Sequence, residues 1–440
     1  MQRMNKQPRI EIERFGLEAI PTAQKQTKWF EYAGIQLAFS VNTGNVLVPA
    51  LAVLTGGLSV GWAVTSTILG AVLAFLLVSL LSLPGARYGL PAQFVIRTMI
   101  GTRLSRYFAS PIRSLTSLYW FSVQTIGGSM VFISLLTPIT GVSIPLWLIA
   151  PILSAGMAVL ALIGFDAVKK ATKWFLPILF LGQGAMIYLI LTHSFSASSS
   201  IFETGDFHFT SFFFFSSLAF VQYVSGVSAS SDMTRYAKSP KQAFWGVLAG
   251  NAAGFVLTAF LGTLYAAALG SLNPFASAGE LTDSYLLLAI IATGALVSMI
   301  SINLSNAYTG GYSLLNAFPA LGRIKSAVLF GAAATLLSFF PIIVEQAEQY
   351  ISMLGAAVIP LSAIIVFDFI FIKKGRILEI DLRSLSSGKN VINFEALLTA
   401  IIFIPVYLII PSSFSPGFIV FLLAGFTYSA LKYHRFKKRN

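Results

Sequence analysis

Long uncharged apolar stretches alternate with short polar segments along this chain, and their length carries more information than their periodicity. Twelve stretches stand out, at about 32–54, 59–83, 110–136, 143–164, 173–193, 211–229, 243–269, 284–316, 325–343, 350–372, 393–410 and 416–432. Several run about 18 or more residues without a charge, which is what a helix needs to cross roughly 30 Å of hydrocarbon. The pattern predicts an all-α polytopic membrane protein with twelve transmembrane helices. The eighth stretch is longer than one crossing requires, so it is expected to be tilted or broken.

Charge orients this scheme. The 29 Lys and Arg residues fall in seven clusters: Arg3 to Lys28, Arg87 to Arg113, Lys169 to Lys173, Arg235 to Lys241, Arg323 to Lys325, Lys373 to Lys389 and Lys432 to Arg439. The turns between paired stretches, near 55–58, 137–144, 194–210, 270–283, 344–350 and 411–416, carry no positive charge. Short basic loops stay cytoplasmic during insertion. The expectation is therefore a multi-pass cell-membrane protein with both termini in the cytoplasm. Basic residues confined to inner loops also account for the net charge of +13 without nucleic acid as a partner.

Composition agrees, with 56% hydrophobic and 10% charged residues and a mean hydropathy of +0.79. Cysteine is absent, which excludes disulfides, thiolate metal sites and thiol catalysis. His193, His208 and His434 are too scattered for a metal cage. The polar, charged stretch up to about Phe30 does not read as a cleavable signal.

The chain divides into a cytoplasmic segment 1–31, a ten-span core, a polar linker 373–392, two additional spans over 393–432 and a cytoplasmic tail 433–440. The core reads as two five-helix units, 32–193 and 211–372. Because five is odd, a duplicated unit must insert in opposite orientations, and such inverted repeats place a binding site between the copies at the first helix of each. Both first helices are unusual: Phe39-Ser-Val-Asn-Thr-Gly-Asn45 before Pro49 in one, and Tyr223-Val-Ser-Gly-Val-Ser-Ala-Ser-Ser-Asp232 in the other. Broken helices need such residues, because their freed backbone groups must face a cavity. The plainer alternative is close helix packing through small residues.

Candidate chemistry clusters on four spans. Trp120 and Gln124, four apart, share a helix face, where an indole and an amide suit a planar heterocycle with polar edges. Tyr223, with Ser225 and Gly226 at the sixth-span break, offers a second ring and freed backbone groups. On the eighth span, Ser298, Ser301 and Ser305 fall on one face and Asn303 and Asn306 on another, so the span offers either an ion side and a substrate side or interhelical hydrogen bonds. Asp232 and Arg235 are spaced to pair beneath the break, in a structural or gating role. Neither a nucleophile pair and metal motif, as an enzyme needs, nor a repeated filter, as a channel needs, is visible.

Three motifs add a resemblance. Arg14-Phe-Gly-Leu-Glu-Ala-Ile-Pro21, Pro84-Gly-Ala-Arg-Tyr-Gly-Leu-Pro91 and Asp232-Met-Thr-Arg-Tyr-Ala-Lys-Ser239 resemble the nucleobase:cation symporter-1 family, in particular its purine-cytosine permease branch. The resemblance runs from about Arg14 to Ile372. It implies a LeuT-like core of ten helices in a 5+5 inverted repeat, importing cytosine, a purine or an allantoin- or hydantoin-type ring by alternating access with a cation. A channel is the rival class. The ring is expected between Trp120 and Tyr223, its edges read by Gln124, Asn303 and Asn306 with Ser225 and Gly226. The resemblance also implies an ion among the first-span backbone around Phe39 and Asn42 and the hydroxyl of Ser301. Ile302 replaces the second hydroxyl of the sodium-dependent pattern, leaving H+ or Na+ as coupling ion. No cofactor is expected, and such a site needs only a small-molecule substrate, the bilayer and one copy of the chain.

Overall fold

The computed structural model describes residues 15–162, 164–193, 206–386 and 391–437. Arg14 and Glu203, and parts of the expected 194–210 turn, the linker and the tail, lie outside the described residues. The described residues form helices joined by turns, with two isolated backbone bridges. The principal helices are α1 (Trp29–Ser40), α2 (Leu47–Leu54), α3 (Val60–Tyr88), α4 (Ala92–Ile100), α5 (Ser110–Thr140), α6 (Leu146–Ala161), α7 (Phe165–Thr192), α8 (Phe209–Val224), α9 (Ser230–Thr234), α10 (Pro240–Leu269), α11 (Tyr285–Ala317), α12 (Gly322–Leu337), α13 (Ala347–Phe367), α14 (Phe394–Ile409) and α15 (Pro416–Lys437). Among the described residues, nine helical stretches are long and apolar enough to cross a membrane; α6 and α14 are shorter apolar helices.

Ordinary cap chemistry sets many of the ends. Ser239 accepts from the Gln242 amide ahead of Pro240 at the start of α10, and Asn393 accepts from the Ala396 amide at the start of α14. Gly89 closes α3 at φ +73°, a left-handed turn that glycine adopts without strain. Pro84 would ordinarily disrupt α3, since it lacks an amide and frees a carbonyl one turn back. Here α9 supplies partners for this turn: Ser231 Oγ donates to Leu81 O (2.8 Å) and accepts from the Gly85 amide (3.1 Å), while Thr234 Oγ1 donates to Ser82 O (3.1 Å). The stretch from Pro84 to Ser110, which joins the second and third predicted spans, is largely helical, comprising the end of α3, all of α4 and the short turns that lead into α5.

The helices associate as two bodies. In one, α10 lies along α1 and α3, and α3 along α8. In the other, α11 packs against α5, α7 and α12, and α12 against α6. The α1–α10 seam depends on glycine. A Cβ at Gly246 would stand 2.5 Å from Trp29 O, one at Gly250 would be 2.8 Å from Ala33 Cα, and one at Gly254 would be 2.9 Å from Leu37 O. Spaced four apart, these glycines let the two backbones touch, which is how helices associate where lipid removes the hydrophobic drive.

Two further parts brace the bodies. Residues 15–28 strap across one end: Ile20 bonds Gly89 O (2.9 Å), Thr27 bonds Tyr236 O (3.1 Å), and Lys238 returns a bond to Thr27 O (2.9 Å). The hairpin α14–α15 packs on α13 through a buried polar chain. Tyr428 donates to Asp368 Oδ2 (2.5 Å) and accepts from Asn393 Nδ2 (2.9 Å), which also reaches Met99 O (2.7 Å).

Candidate substrate site between two broken helices

The first break runs from Val41 to Val46, between α1 and α2. Asn42 holds it open. Its Oδ1 accepts from the amides of Gly44 (3.0 Å) and Asn45 (2.8 Å), and its Nδ2 donates to Phe39 O (2.5 Å). Ser40 O, released from the helical ladder, receives Asn45 Nδ2 (2.9 Å) and Thr258 Oγ1 of α10 (3.0 Å). Gln124 of α5 reaches across from the other body: Oε1 accepts from the Gly44 amide (3.0 Å) and Thr43 Oγ1 (3.2 Å), and Nε2 donates to Asn42 Oδ1 (2.5 Å). A Cβ at Gly44 would collide with the Gln124 amide, so only glycine permits this approach.

The second break is the tight turn Ser225–Ser228 between α8 and α9. Its freed carbonyls also meet side chains. Ser225 O receives Ser228 Oγ (2.8 Å) and Arg113 Nη1 (3.3 Å), and Ser228 O receives Gln93 Nε2 (2.9 Å). Polar residues in both stretches therefore satisfy backbone groups that a lipid-buried break would leave exposed.

A cavity of about 150 Å³ lies between the breaks, bordered by Trp120 and Gln124 of α5, by Tyr223, Ser225 and Gly226, and by Ser305 and Asn306 of α11. Trp120 is half-buried with its indole edge-on to Tyr119 (5.1 Å between centroids). The Tyr223 ring is wedged between Phe75 (4.7 Å) and Phe255 (5.0 Å), and its hydroxyl has no hydrogen-bond partner. Asn303 stands behind the wall. It is fully buried, donates to Phe121 O (3.0 Å) and Thr125 Oγ1 (2.9 Å), and through Oδ1 holds Asn306 Nδ2 (3.2 Å).

The ion-side candidates are arranged differently from the serine face read in the sequence. Ser301 is buried and Ser298 Oγ has no partner, but Ser305 borders the same cavity as Asn306. Ser305 stands within about 20° of Ser298 around the helix but about 10 Å further along it, so the cavity meets this face at a different level. Ile302 also borders the cavity, and Phe39 O is engaged by Asn42. Asp232 is fully buried, with Oδ1 on the Ala92 amide (2.8 Å) and Oδ2 without a hydrogen bond. Arg235 donates to Gly16 O (3.0 Å) and Tyr312 Oη (2.7 Å) and lies over the Tyr312 ring, joining the strap to α11. At the same end Arg97 grips Asn316 Oδ1 (2.5 and 3.0 Å). Burial first, and then the Arg106 charge, pull the Arg97 guanidinium down to about 10, which still leaves it protonated at neutral pH.

Sequence reasoning missed several wall residues: Gln36, Asn45, Gln222, Asn251 and Arg113. Gln222 Nε2 donates to Asn45 Oδ1 (3.1 Å), while its Oε1 is unpartnered. Gln222 adjoins Tyr223, so its position was visible; nothing in the sequence brings Asn251 or Gln36 to the same place.

Two helices broken opposite each other, rings and amides converging between them, and helices long and apolar enough to cross a membrane are the architecture of a multi-pass membrane transporter. The chain matches the model of the family described as permeases for cytosine/purines, uracil, thiamine and allantoin over residues 19–429, and it belongs to that family. It is similar to the allantoin permease of Bacillus subtilis (strain 168), 23% identical over 403 residues covering 83% of this chain and 80% of the relative. It is also similar to the hydantoin permease of Microbacterium maritypicum, 22% identical over 366 residues covering 79% and 72%. Its fold is that of Mhp1, a nucleobase-cation-symport-1 family transporter, in a closed conformation with bromovinylhydantoin bound (TM-score 0.79, 19% identity, 96% of each chain). The fold extends to MhsT in complex with L-phenylalanine (TM-score 0.59, 14% identity, 92% of this chain and 100% of that one).

Proposed function

We propose that this transporter is a secondary symporter that imports a planar, amide-edged heterocycle, either a nucleobase or a ring of the allantoin and hydantoin type, together with a cation. The observation that carries this reading is the single cavity bordered by Trp120 of one body and Tyr223 of the other, level with both helix breaks. A flat ring between them would gain aromatic contact on both faces, with amides of Gln124, Gln222 and Asn306 at its edges. Asn303 serves the site by orienting Asn306. The family description, which names cytosine/purines, uracil and allantoin, supports both substrate types, and the two named relatives, an allantoin and a hydantoin permease, support the second.

The core is proposed to hold two inverted five-helix units, 32–193 and 211–372, followed by the 373–392 linker and the 393–432 hairpin, with twelve crossings and both termini cytoplasmic. Rocking of α1–α3 and α8–α10 against the other body would expose the cavity alternately to each side. Coupling is needed because a ring without positive charge is not drawn inward by the membrane voltage, and linkage makes ion and substrate each tighten the other. We assign a proton as the coupling ion because Ile302 offers no side-chain oxygen beside Ser301, which removes one ligand of the sodium pattern.

The test is uptake of labelled uracil, cytosine, hypoxanthine, allantoin and hydantoin into vesicles under imposed pH or sodium gradients. Accumulation of at least one ring above its external concentration is expected, driven by the pH gradient in sodium-free buffer. Equilibration without accumulation would point to a channel, and accumulation only with sodium would overturn the proton assignment.

A further inference from the structure

The cavity contains a full positive charge that the transport reading leaves unused. Arg113 lies seven residues before Trp120 on α5, two helical turns away, about 10 Å along the axis and on nearly the same face. Its side chain borders the cavity and the residue is only 8% exposed. Every acceptor it reaches is neutral: Ser225 O (3.3 Å), Ser225 Oγ (3.5 Å) and Thr309 Oγ1 (3.2 Å). Its Nε has no hydrogen-bond partner. No carboxylate forms a salt bridge with it among the described residues, and no Asp or Glu borders the cavity.

Buried cations in membrane proteins are costly unless paired, and they mark substrate paths. The one carboxylate whose field reaches Arg113 is Asp232, which also feels Arg235 and Arg323. None of Asp232, Arg235 and Arg323 borders the cavity, so among its lining residues Arg113 is the charged side chain. Guanidinium is also the side chain best shaped to grip a planar anion through paired N–H groups.

We propose, building on the transport reading above, that the substrate is a planar oxo-heterocycle carrying a negative charge, either an ionised ring edge or a ring carboxylate, and that Arg113 receives that charge. The rings at Trp120 and Tyr223 take the flat faces, and Arg113 selects the anionic edge. A competing account makes Arg113 a tether between the second break and α11, indifferent to what occupies the cavity.

The experiment compares binding to purified protein at pH 7, by calorimetry, of two anions, orotate and urate, with their uncharged counterparts uracil and hypoxanthine. At least one anion is expected to bind more tightly than its counterpart. Arg113→Gln is expected to weaken that anion about 10- to 100-fold, the range for a charge-assisted hydrogen bond, and to weaken the neutral rings markedly less, so that the preference for the anion is lost. Arg113→Lys, which keeps the charge, should retain part of the preference even if the glutamine variant does not fold. Tighter binding of the neutral rings by the unmodified protein overturns the inference and leaves the transport reading standing. Equal loss for anions and neutral rings in Arg113→Gln assigns the tether role instead. Failure of all four ligands to bind, with none of the five rings transported, removes both readings.

Discussion

Trp120 and Tyr223 are the residues on which the site should stand or fall. Stacking a base on an aromatic is worth about 1–3 kcal/mol, so Trp120→Ala and Tyr223→Ala should each raise the substrate KM roughly ten- to a hundredfold with the protein still inserted. Tyr223→Phe retains the ring between Phe75 and Phe255 and should cost less than tenfold; radiolabelled uptake by the three variants checks this. Asn303→Ala acts at one remove, freeing Asn306, so it should raise KM while the chain remains folded. Trp120 could be picked out because it shares a helix face with Gln124 four residues on, and Tyr223 because it adjoins the Gly- and Ser-rich break; both border the cavity. Arg113 was not picked out, because it closed the basic cluster Arg87 to Arg113 although it lies inside the 110–136 stretch, and only the packing shows that it turns to the cavity. Burial of a cation is a tertiary fact that sequence spacing does not report.

At the scale of helices, the long apolar runs correspond to helices, and the excess length of 284–316 is α11, Tyr285–Ala317, which is one continuous helix and not a broken one. Pro84, by contrast, reads as a terminator, and its accommodation depends on Ser231 and Thr234 from a distant part of the chain. The glycine seam makes a clear prediction. Gly250→Leu would drive a side chain into α1, and overpacking of this kind costs about 1–3 kcal/mol or more. A lower melting temperature in detergent and reduced uptake are expected together. The two additional spans over 393–432 lie outside the ten-span core in the sequence reading, yet Tyr428 and Asn393 tie them to Asp368. Tyr428→Phe leaves that buried carboxylate short of a donor and should lower stability by about 1–3 kcal/mol, seen as a melting shift with little change in KM.

Across the molecule, the absence of cysteine makes the proposed orientation easy to probe. Val142→Cys, 60% exposed beyond α5, should react with an impermeant maleimide applied to intact cells. Lys374→Cys, exposed at the turn after α13, should react only after the membrane is opened. The reverse labelling would invert the topology argued from the basic loops. That argument was accessible from composition because insertion reads charge directly, whereas the division into two bodies is a matter of which helices touch.

The amide of Gln124 sits on the seam between those bodies, with three hydrogen bonds from a single side chain to the first break. Any sliding of one body past the other must sever this clasp or trade it for bonds to cargo. An empty carrier pays for the severance without recompense and should idle slowly, whereas a loaded one can hand the same donors and acceptors to its passenger. In that sense a glutamine facing a bare glycine works as a brake, one that only freight of the right outline releases.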